Sequence, residues 1–307
     1  MGEYIERYSA FGSRLSLIYG LATRSMKQAM LLIVNADDLG TSEDINQQIF
    51  FLMATGRVTS ASILANGPAF AHAVAGARRF PKCTFGVHLN LTEYAPLTRM
   101  AGLRPILDER ELLSRKLHDA VFDRYIRAAA RIELAAQVQR VLDAGIAVSH
   151  FDSHEHIHTL PKLFPILKSL QREFGIRKVR STINLLSPAE QMKTLRSFKK
   201  RLFYLWLSHS YATTSPDGLG TFIDFHAAIE AGHVPYFRCL ELMVHPGHAD
   251  YREETEILKT DWQKRLPLGV CLGSYHSLPA PSHSTAKFRT WSFPNRASRH
   301  GVADQAL

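Results

Sequence analysis

The chain has 307 residues, 46% hydrophobic and 21% charged, which suits a folded globular protein with a sizeable core and excludes a disordered or fibrous one. Its formal charge of +9 does not make it a nucleic-acid binder: the excess is scattered or lies near the two ends, and the densest internal run, Lys199-Lys200-Arg201, reads as a solvated helix face. Three separated cysteines, Cys83, Cys239 and Cys271, form no C-x-x-C pair and argue against a disulfide framework or a thiolate zinc site.

Residues 1–29 are expected to be an N-terminal extension, helical or disordered. The apolar stretch 15–22 is too short to cross a bilayer, is interrupted by Tyr19 and Gly20, and is followed by no small-residue cleavage site. No transmembrane segment is expected anywhere, and the expected location is the cytoplasm. The first strong strand signal is 31–35. Further strands are expected at 58–65, 84–91, 147–152 and 178–182, with weaker ones at 220–225, 240–245 and 270–275. Helical patterns fill 43–55, 68–80, 128–144, 161–174, 188–207 and 253–264, several ending at glycine (Gly56, Gly145, Gly175). Strands alternating with helices of this length imply βα units and a parallel sheet. The fold class is therefore α/β: a (β/α) barrel-like domain over residues 30–280, with seven or eight parallel strands, closed or distorted, and a polar C-terminal tail at 281–307.

A barrel of this kind carries its chemistry at the C-terminal ends of its strands, and four polar clusters fall there. In Asn35-Ala36-Asp37-Asp38-Leu39-Gly40 two adjacent carboxylates point in different directions, so one can hold a metal while the other stays free as a base. A helix-capping role is the alternative, but Thr41 and Ser42 already supply that cap. In 85–92 the alternation puts Gly86, His88 and Asn90 on one face. The segment His150-Phe151-Asp152-Ser153-His154-Glu155-His156-Ile157-His158 holds four histidines and two carboxylates, and neutral imidazole is the commonest ligand of zinc-like ions. On an extended chain Asp152 could orient the His154 ring; on a helix His154 and His158 would share a face. Spacing leaves both geometries open. Finally, His245 stands before Pro246-Gly247-His248 at a strand end, a place for a general acid.

Together these motifs resemble the YdjC-like family of carbohydrate deacetylases, which includes chitooligosaccharide and hopanoid-associated members. The resemblance rests on N-A-D-D-L-G (35–40), T-S-A-S-I-L-A-N-G (59–67), G-V-H-L-N-L-T (86–92), D-S-H-E-H-I-H (152–158) and M-V-H-P-G (243–247), and covers about residues 30–280. It implies a (β/α) barrel-like deacetylase domain. It also implies one divalent metal ion on Asp38, His88 and His154, with Asp37 as base and His245 as acid. Asn90, Asp152, His156 and His158 would contact substrate or support the ligands. Glu155 stands where many relatives carry another histidine. Two imidazoles favour zinc over magnesium, although magnesium has been proposed for relatives. The implied reaction is hydrolysis of the acetamide of an N-acetylated sugar, releasing acetate and a free amine. The implied partner is an N-acetylated oligosaccharide or glycolipid head group, and relatives often form homodimers. The rival readings are hydrolysis of another bond (a phosphoester or another amide) and a non-catalytic metal-dependent sugar-binding protein. No Gly-rich phosphate loop accompanies the four motifs, and binding alone has no need of Asp37 beside Asp38.

Overall fold

In a computed structural model, which describes residues 30–183, 213–232 and 237–278 together with Leu202, Trp206 and Tyr211, the 31–35 signal becomes β1 (Met30–Leu39). It is followed by α1 (Glu43–Ala54), β2 (Ser60–Ile63), α2 (Phe70–Ala77) and β3 (Thr84–Leu89). A long connection then leads to α3 (Arg124–Asp143), β4 (Val148–Ser153) and α4 (Phe164–Phe174). Next come β5 (Gly218–Thr221), α5 (Phe222–Glu230), β6 (Cys239–Val244), α6 (Arg252–Lys259) and β7 (Val270–Gly273). Apart from Leu202 and Trp206, the expected helix at 188–207 lies outside the described residues, as do both chain ends. No described helix is long and apolar enough to cross a membrane.

The helices begin and stop where local chemistry dictates. The Ser42 hydroxyl accepts from Ile45 N at the start of α1, and Asp123 accepts from Tyr125 N and Ile126 N at the start of α3. These satisfy N–H groups that no helical carbonyl can reach. At the far end of α4, Gly175 takes the left-handed conformation (φ 70°) that a side chain would oppose. Two expectations are corrected. The strand expected at 220–225 runs instead over Gly218–Thr221 and goes no further, because Thr221 caps α5 by accepting from Asp224 N. Residues 178–182 make only isolated bridges, Phe151 with Val179 and Lys178 with Thr214.

All strand pairs are parallel, in the order β4-β3-β2-β1-β6-β5, with β7 also paired to the start of β1. The seven-stranded sheet is not closed as a ladder. Residues 178–183 stand beyond β4, and Ile183 O accepts from Leu219 N of β5, so the edges approach each other in a barrel-like, distorted ring. Alternation along β1 separates two environments. Leu32, Val34 and Ala36 join the main core shared with α1 and α2, while Ile33 packs with Cys239, Tyr275 and Leu278 in a small apolar plug. Each buried Leu, Val or Ile among them contributes about 1.5–3 kcal/mol. Beyond the plug, toward the C-terminal ends of the strands, the buried layer turns polar: Asn35, Asp37, Ser62, His88, His150, Asp152, Arg180 and Glu241.

Candidate active site

The pairing of β1 with β2 slips between Ala36 and Leu39, and Asp37 and Asp38 occupy that slip. Such an irregularity re-aims side chains at a strand end. Asp38 adopts φ 63°, an unusual conformation for a residue with a side chain. As a result the two neighbouring carboxylates part company.

Asp38 faces imidazoles from two strand ends. Its Oδ1 lies 2.9 Å from His154 Nδ1 and 3.3 Å from His88 Nε2. Burial raises the Asp38 pKa, but the rings of His154 and His88 outweigh it and hold the carboxyl well below its usual range. The same balance read from the rings works against burial. Asp152, Asp37 and Asp38 lift His88 to about 10, and Asp38 and Glu93 lift His154 to about 9. The pocket therefore attracts positive charge.

Each ring also has its second nitrogen against a carboxylate. His88 Nδ1 is 2.9 Å from Asp152 Oδ1, and His154 Nε2 is 3.0 Å from Glu93 Oε2. This corrects the expectation that Asp152 orients His154. The register sets His88 directly beside Asp152 across β3 and β4. His154 lies beyond the end of β4, in a 3-10 segment whose next two residues, Glu155 and His156, both have left-handed backbones. Neither geometry left open by spacing is the observed one.

Asp37 turns the other way and meets Arg180, a fully buried residue that sequence reasoning did not single out. Arg180 donates Nη1 to Asp37 Oδ2 (2.6 Å) and Nη2 to Asp37 Oδ1 (2.5 Å). It donates Nε to Glu241 Oε1 (2.9 Å), and its Nη2 is 2.9 Å from Asp152 Oδ2. Burial pushes Asp37 up, yet the guanidinium holds its pKa below the ordinary value. Glu241 is raised by burial despite Arg180, and it accepts from Tyr275 Oη at 2.6 Å. The Tyr275 ring stacks on His150 at 3.6 Å and 5°, and burial pushes His150 down to about 3, leaving it neutral. The available signal was the alternation Lys178-Val179-Arg180-Ser181-Thr182, which puts Arg180 on the face opposite Val179.

His245 stands at the rim of the same centre. Its Nε2 is 3.9 Å from Asp37 Oδ2, its ring stacks on Tyr251 at 4.3 Å, and its N–H donates to Glu254 Oε1 at 2.6 Å. Burial lowers its pKa in spite of Asp37 and Asp38, so the ring is neutral. His248, two residues past Pro246, brings Nε2 to 3.3 Å from Asp38 Oδ2 without aiming it along a hydrogen bond, so that buried nitrogen has no partner. Asn90, expected to contact substrate or support the ligands, spends its side chain on the loop that follows β3. It donates to Asn66 Oδ1 and Glu93 O, and accepts from Thr92 N and Glu93 N. His158 bonds Ser153 Oγ and lines a small cavity with Leu89, Leu134, Ile157, Leu163 and Leu167. The His156 ring, kept neutral by burial at about 4, has a buried Nδ1 without a partner.

The donors present suit a divalent ion. One atom each from Asp38, His88 and His154 lie within 4.8 Å of one another. His88 Nε2 lies 3.3 Å from Asp38 Oδ1, the edge of about 3.3–3.4 Å of a tetrahedral site with bonds near 2.0–2.1 Å, while His154 Nδ1, at 2.9 Å, stands closer to the same oxygen, at hydrogen-bond distance. A second set, Asp37, His88 and Asp152, is equally close, but Arg180 already places its positive charge between those two carboxylates. The first set is therefore the candidate metal centre.

Fold and donors together define a (β/α) barrel-like α/β protein with an Asp/His/His cluster at its strand ends. The chain belongs to the family of YdjC-like proteins, whose family model matches residues 31–267. It is 37% identical over 147 residues to a carbohydrate deacetylase of Brevibacillus brevis, a match covering 48% of this chain and 58% of that relative. This chain thus spans little more than half the length of that relative. Against a chitooligosaccharide deacetylase of Citrobacter koseri it is 33% identical over 223 residues, 72% of this chain and 82% of the relative. In fold it is similar to a crystal structure from Enterococcus faecalis V583, described as a candidate cellobiose-phosphate cleavage protein. The TM-score is 0.63 at 22% identity, covering 81% of this chain and 99% of the other.

Proposed function

We propose that the chain is a metal-dependent hydrolase that removes the acetyl group from an N-acetylated sugar. The observation that carries this reading is the split between the two adjacent carboxylates. Asp38 joins two imidazoles at 2.9 and 3.3 Å, while Asp37 is turned away and kept anionic by Arg180. A binding protein needs the first arrangement; a hydrolase needs both. The names of the relatives, carbohydrate deacetylase and chitooligosaccharide deacetylase, support an N-acetylated oligosaccharide or a glycolipid head group as the substrate class.

Asp38, His88 and His154 would hold the ion, which would supply Lewis-acid polarisation of the acetamide carbonyl and make water a better nucleophile. Two imidazoles and one carboxylate favour zinc over magnesium. Asp37 accepts the proton that water gives up. Its bidentate bond to Arg180 holds the carboxylate in one orientation and lowers its basicity, so the base is fixed in place rather than strong. His245, neutral in the resting protein, suits a group that gains a proton during turnover and then delivers it to the departing amine. Its Nε2 lies 3.9 Å from Asp37 Oδ2, near the carboxylate that first receives the proton.

The test is acetate release from N-acetylglucosamine oligomers by chelator-stripped protein, with and without Zn²⁺, Co²⁺ or Mg²⁺. Expected is metal-restored release that disappears in Asp38→Ala and His154→Ala. Asp37→Asn should lose turnover while keeping metal affinity. Release that survives in Asp37→Asn, or that ignores the metal, refutes the assignment.

A further inference from the structure

Resting on the reading of Asp38, His88 and His154 as metal ligands, we infer that Glu93 is a positioning residue of that centre, selecting which nitrogen of His154 faces the metal. His154 sits between two carboxylates, with Nδ1 2.9 Å from Asp38 Oδ1 and Nε2 3.0 Å from Glu93 Oε2. A neutral imidazole carries one proton. When the ring gives up a proton to take a metal, a carboxylate at Nε2 keeps the remaining proton there and leaves the Nδ1 lone pair on the Asp38 side. His88 is arranged in the opposite sense: Asp152 takes Nδ1 and Nε2 faces Asp38. The two candidate ligand rings therefore offer different nitrogens, each set by its own carboxylate.

Glu93 is 48% exposed at its side chain, and an ordinary exposed pair would contribute little. What distinguishes it is the way its backbone is fixed. Glu93 O accepts from Asn66 Nδ2 at 3.0 Å and from Asn90 Nδ2 at 2.7 Å, and Glu93 N donates to Asn90 Oδ1 at 3.1 Å. Asn90 is fully buried and is itself held by Gln137 of α3. Asn90 N donates to Gln137 Oε1 at 2.9 Å, and Asn90 O accepts from Gln137 Nε2 at 2.7 Å. Gln137 in turn donates to the buried Glu133. The next residue, Tyr94, takes φ 64° and accepts from Leu113 N at 2.8 Å. Amides from the end of β3, from the loop after β2 and from α3 thus deliver one carboxylate to one ring nitrogen. The ordering cost that weakens a surface ion pair is met by the fold before any ligand arrives. This also gives the buried Asn90 a function: it shapes the turn that presents Glu93.

The test uses the full chain, stripped with chelator and titrated with Zn²⁺ against a chromophoric competitor. Glu93→Ala is expected to weaken Zn²⁺ about 10–100-fold. Glu93→Gln, which keeps an acceptor at the same place, should recover most of that loss. Asp38→Ala and His154→Ala should bind far more weakly than either. Nitrogen-15 spectra of the zinc-loaded wild type should show the His154 proton on Nε2, and Glu93→Ala should lose that single state. Wild-type affinity in Glu93→Ala beside a crippled His154→Ala overturns the role of Glu93 alone, as does a His154 proton on Nδ1. A wild-type chain that binds no divalent ion overturns the metal reading and this inference with it.

Discussion

Replacing Arg180 with methionine tests the buried charge network at its hub. Three carboxylates surround the guanidinium, but they would not suffer equally. Asp152 keeps the His88 ring at 2.9 Å and the Ser62 hydroxyl at 2.7 Å. Glu241 is already raised toward its neutral form by burial and keeps the Tyr275 hydroxyl. Asp37 would be left with the Asn35 amide at 2.9 Å, the His88 ring that it shares with Asp152 and Asp38, and a distant His245, none of which replaces the bidentate guanidinium. The loss is therefore that of one stranded buried charge, about 3–5 kcal/mol, not three times that. At roughly 2–4 °C per kcal/mol for a domain of this size, the melting temperature should fall by about 6–20 °C. The sign of the pH dependence follows. Asp37 in the wild type has its folded pKa held below the unfolded value, so its stabilisation is present above about pH 4 and is lost as pH falls through the folded value. Without Arg180 burial dominates, the folded pKa of Asp37 rises, and protonation in mild acid relieves the penalty. Denaturant unfolding of chelator-treated protein should show the largest deficit near pH 7 and a smaller one near pH 5. A deficit below about 1 kcal/mol, well under the cost of breaking a buried pair, or one equal at both pH values, would refute the argument.

Two further outcomes follow from close packing and burial. A Cβ added at Gly86 would lie 2.5 Å from the His150 ring, which cannot retreat because it stacks on Tyr275 and bonds Ser149 and Ser62. Gly86→Ala should cost about 1–3 kcal/mol, measured by denaturant unfolding; a cost within experimental error would mean the ring has room to move. Burial raises Glu254 to about 7, so its contribution is fully present below its unfolded pKa near 4.3 and is lost as pH rises through the folded value. Glu254→Gln keeps an acceptor for His245 N and removes the charge. It should gain on the wild type between pH 5 and pH 8 by an amount on the order of 3 kcal/mol, whereas parallel stability–pH curves would rule out a buried, titrating carboxyl there.

The strand-end clusters were legible because chemistry and topology coincide there. Asp38, His88 and His154 come from three separate stretches, yet each follows a β-branched or apolar run that the period-2 pattern marks as a strand. Alternation alone put Gly86, His88 and Asn90 on one face, and the structure finds Gly86 and His88 against His150 and Asp152. What escaped was everything that depends on register between strands. Asp152 is two residues from His154 in the chain and directly across from His88 in the sheet, and only the second relation holds. Arg180 escaped because a lone arginine in a strand usually faces solvent, and nothing local announces three carboxylates arriving from β1, β4 and β6. Glu93 sits in a loop shaped by the nearby Asn90 together with amides far away in sequence, Asn66 and Gln137, so a window around it carries only part of the signal. The strand expected at 220–225, which ends at Thr221, was a different failure. Thr221 and Asp224 form a capping pair that marks a helix start, and the apolar run that follows suits a helix as well as a strand.

The pair Asp37-Asp38 shows why residue type alone cannot assign a role. Both are buried carboxylates, one bond apart in the backbone, and burial alone would raise both pKa values. The slip between Ala36 and Leu39 sends one toward a guanidinium and the other toward imidazoles. Arg180 cannot lose its proton at any ordinary pH, so Asp37 has a permanent cation beside it and stays ionised with or without a metal. The rings near Asp38 can give up their protons, which frees lone pairs for a metal. One site is therefore closed to a second cation while the other is open to one. This difference makes a division of labour between base and ligand chemically possible. It also means that exchanging the two environments, rather than the two residues, is what would abolish it. Because Asp152 touches both Arg180 and His88, the two halves are mechanically joined. Substitutions at Asp152 should therefore disturb both the anchoring of Asp37 and the orientation of His88, whereas substitutions at Glu93 should reach only His154.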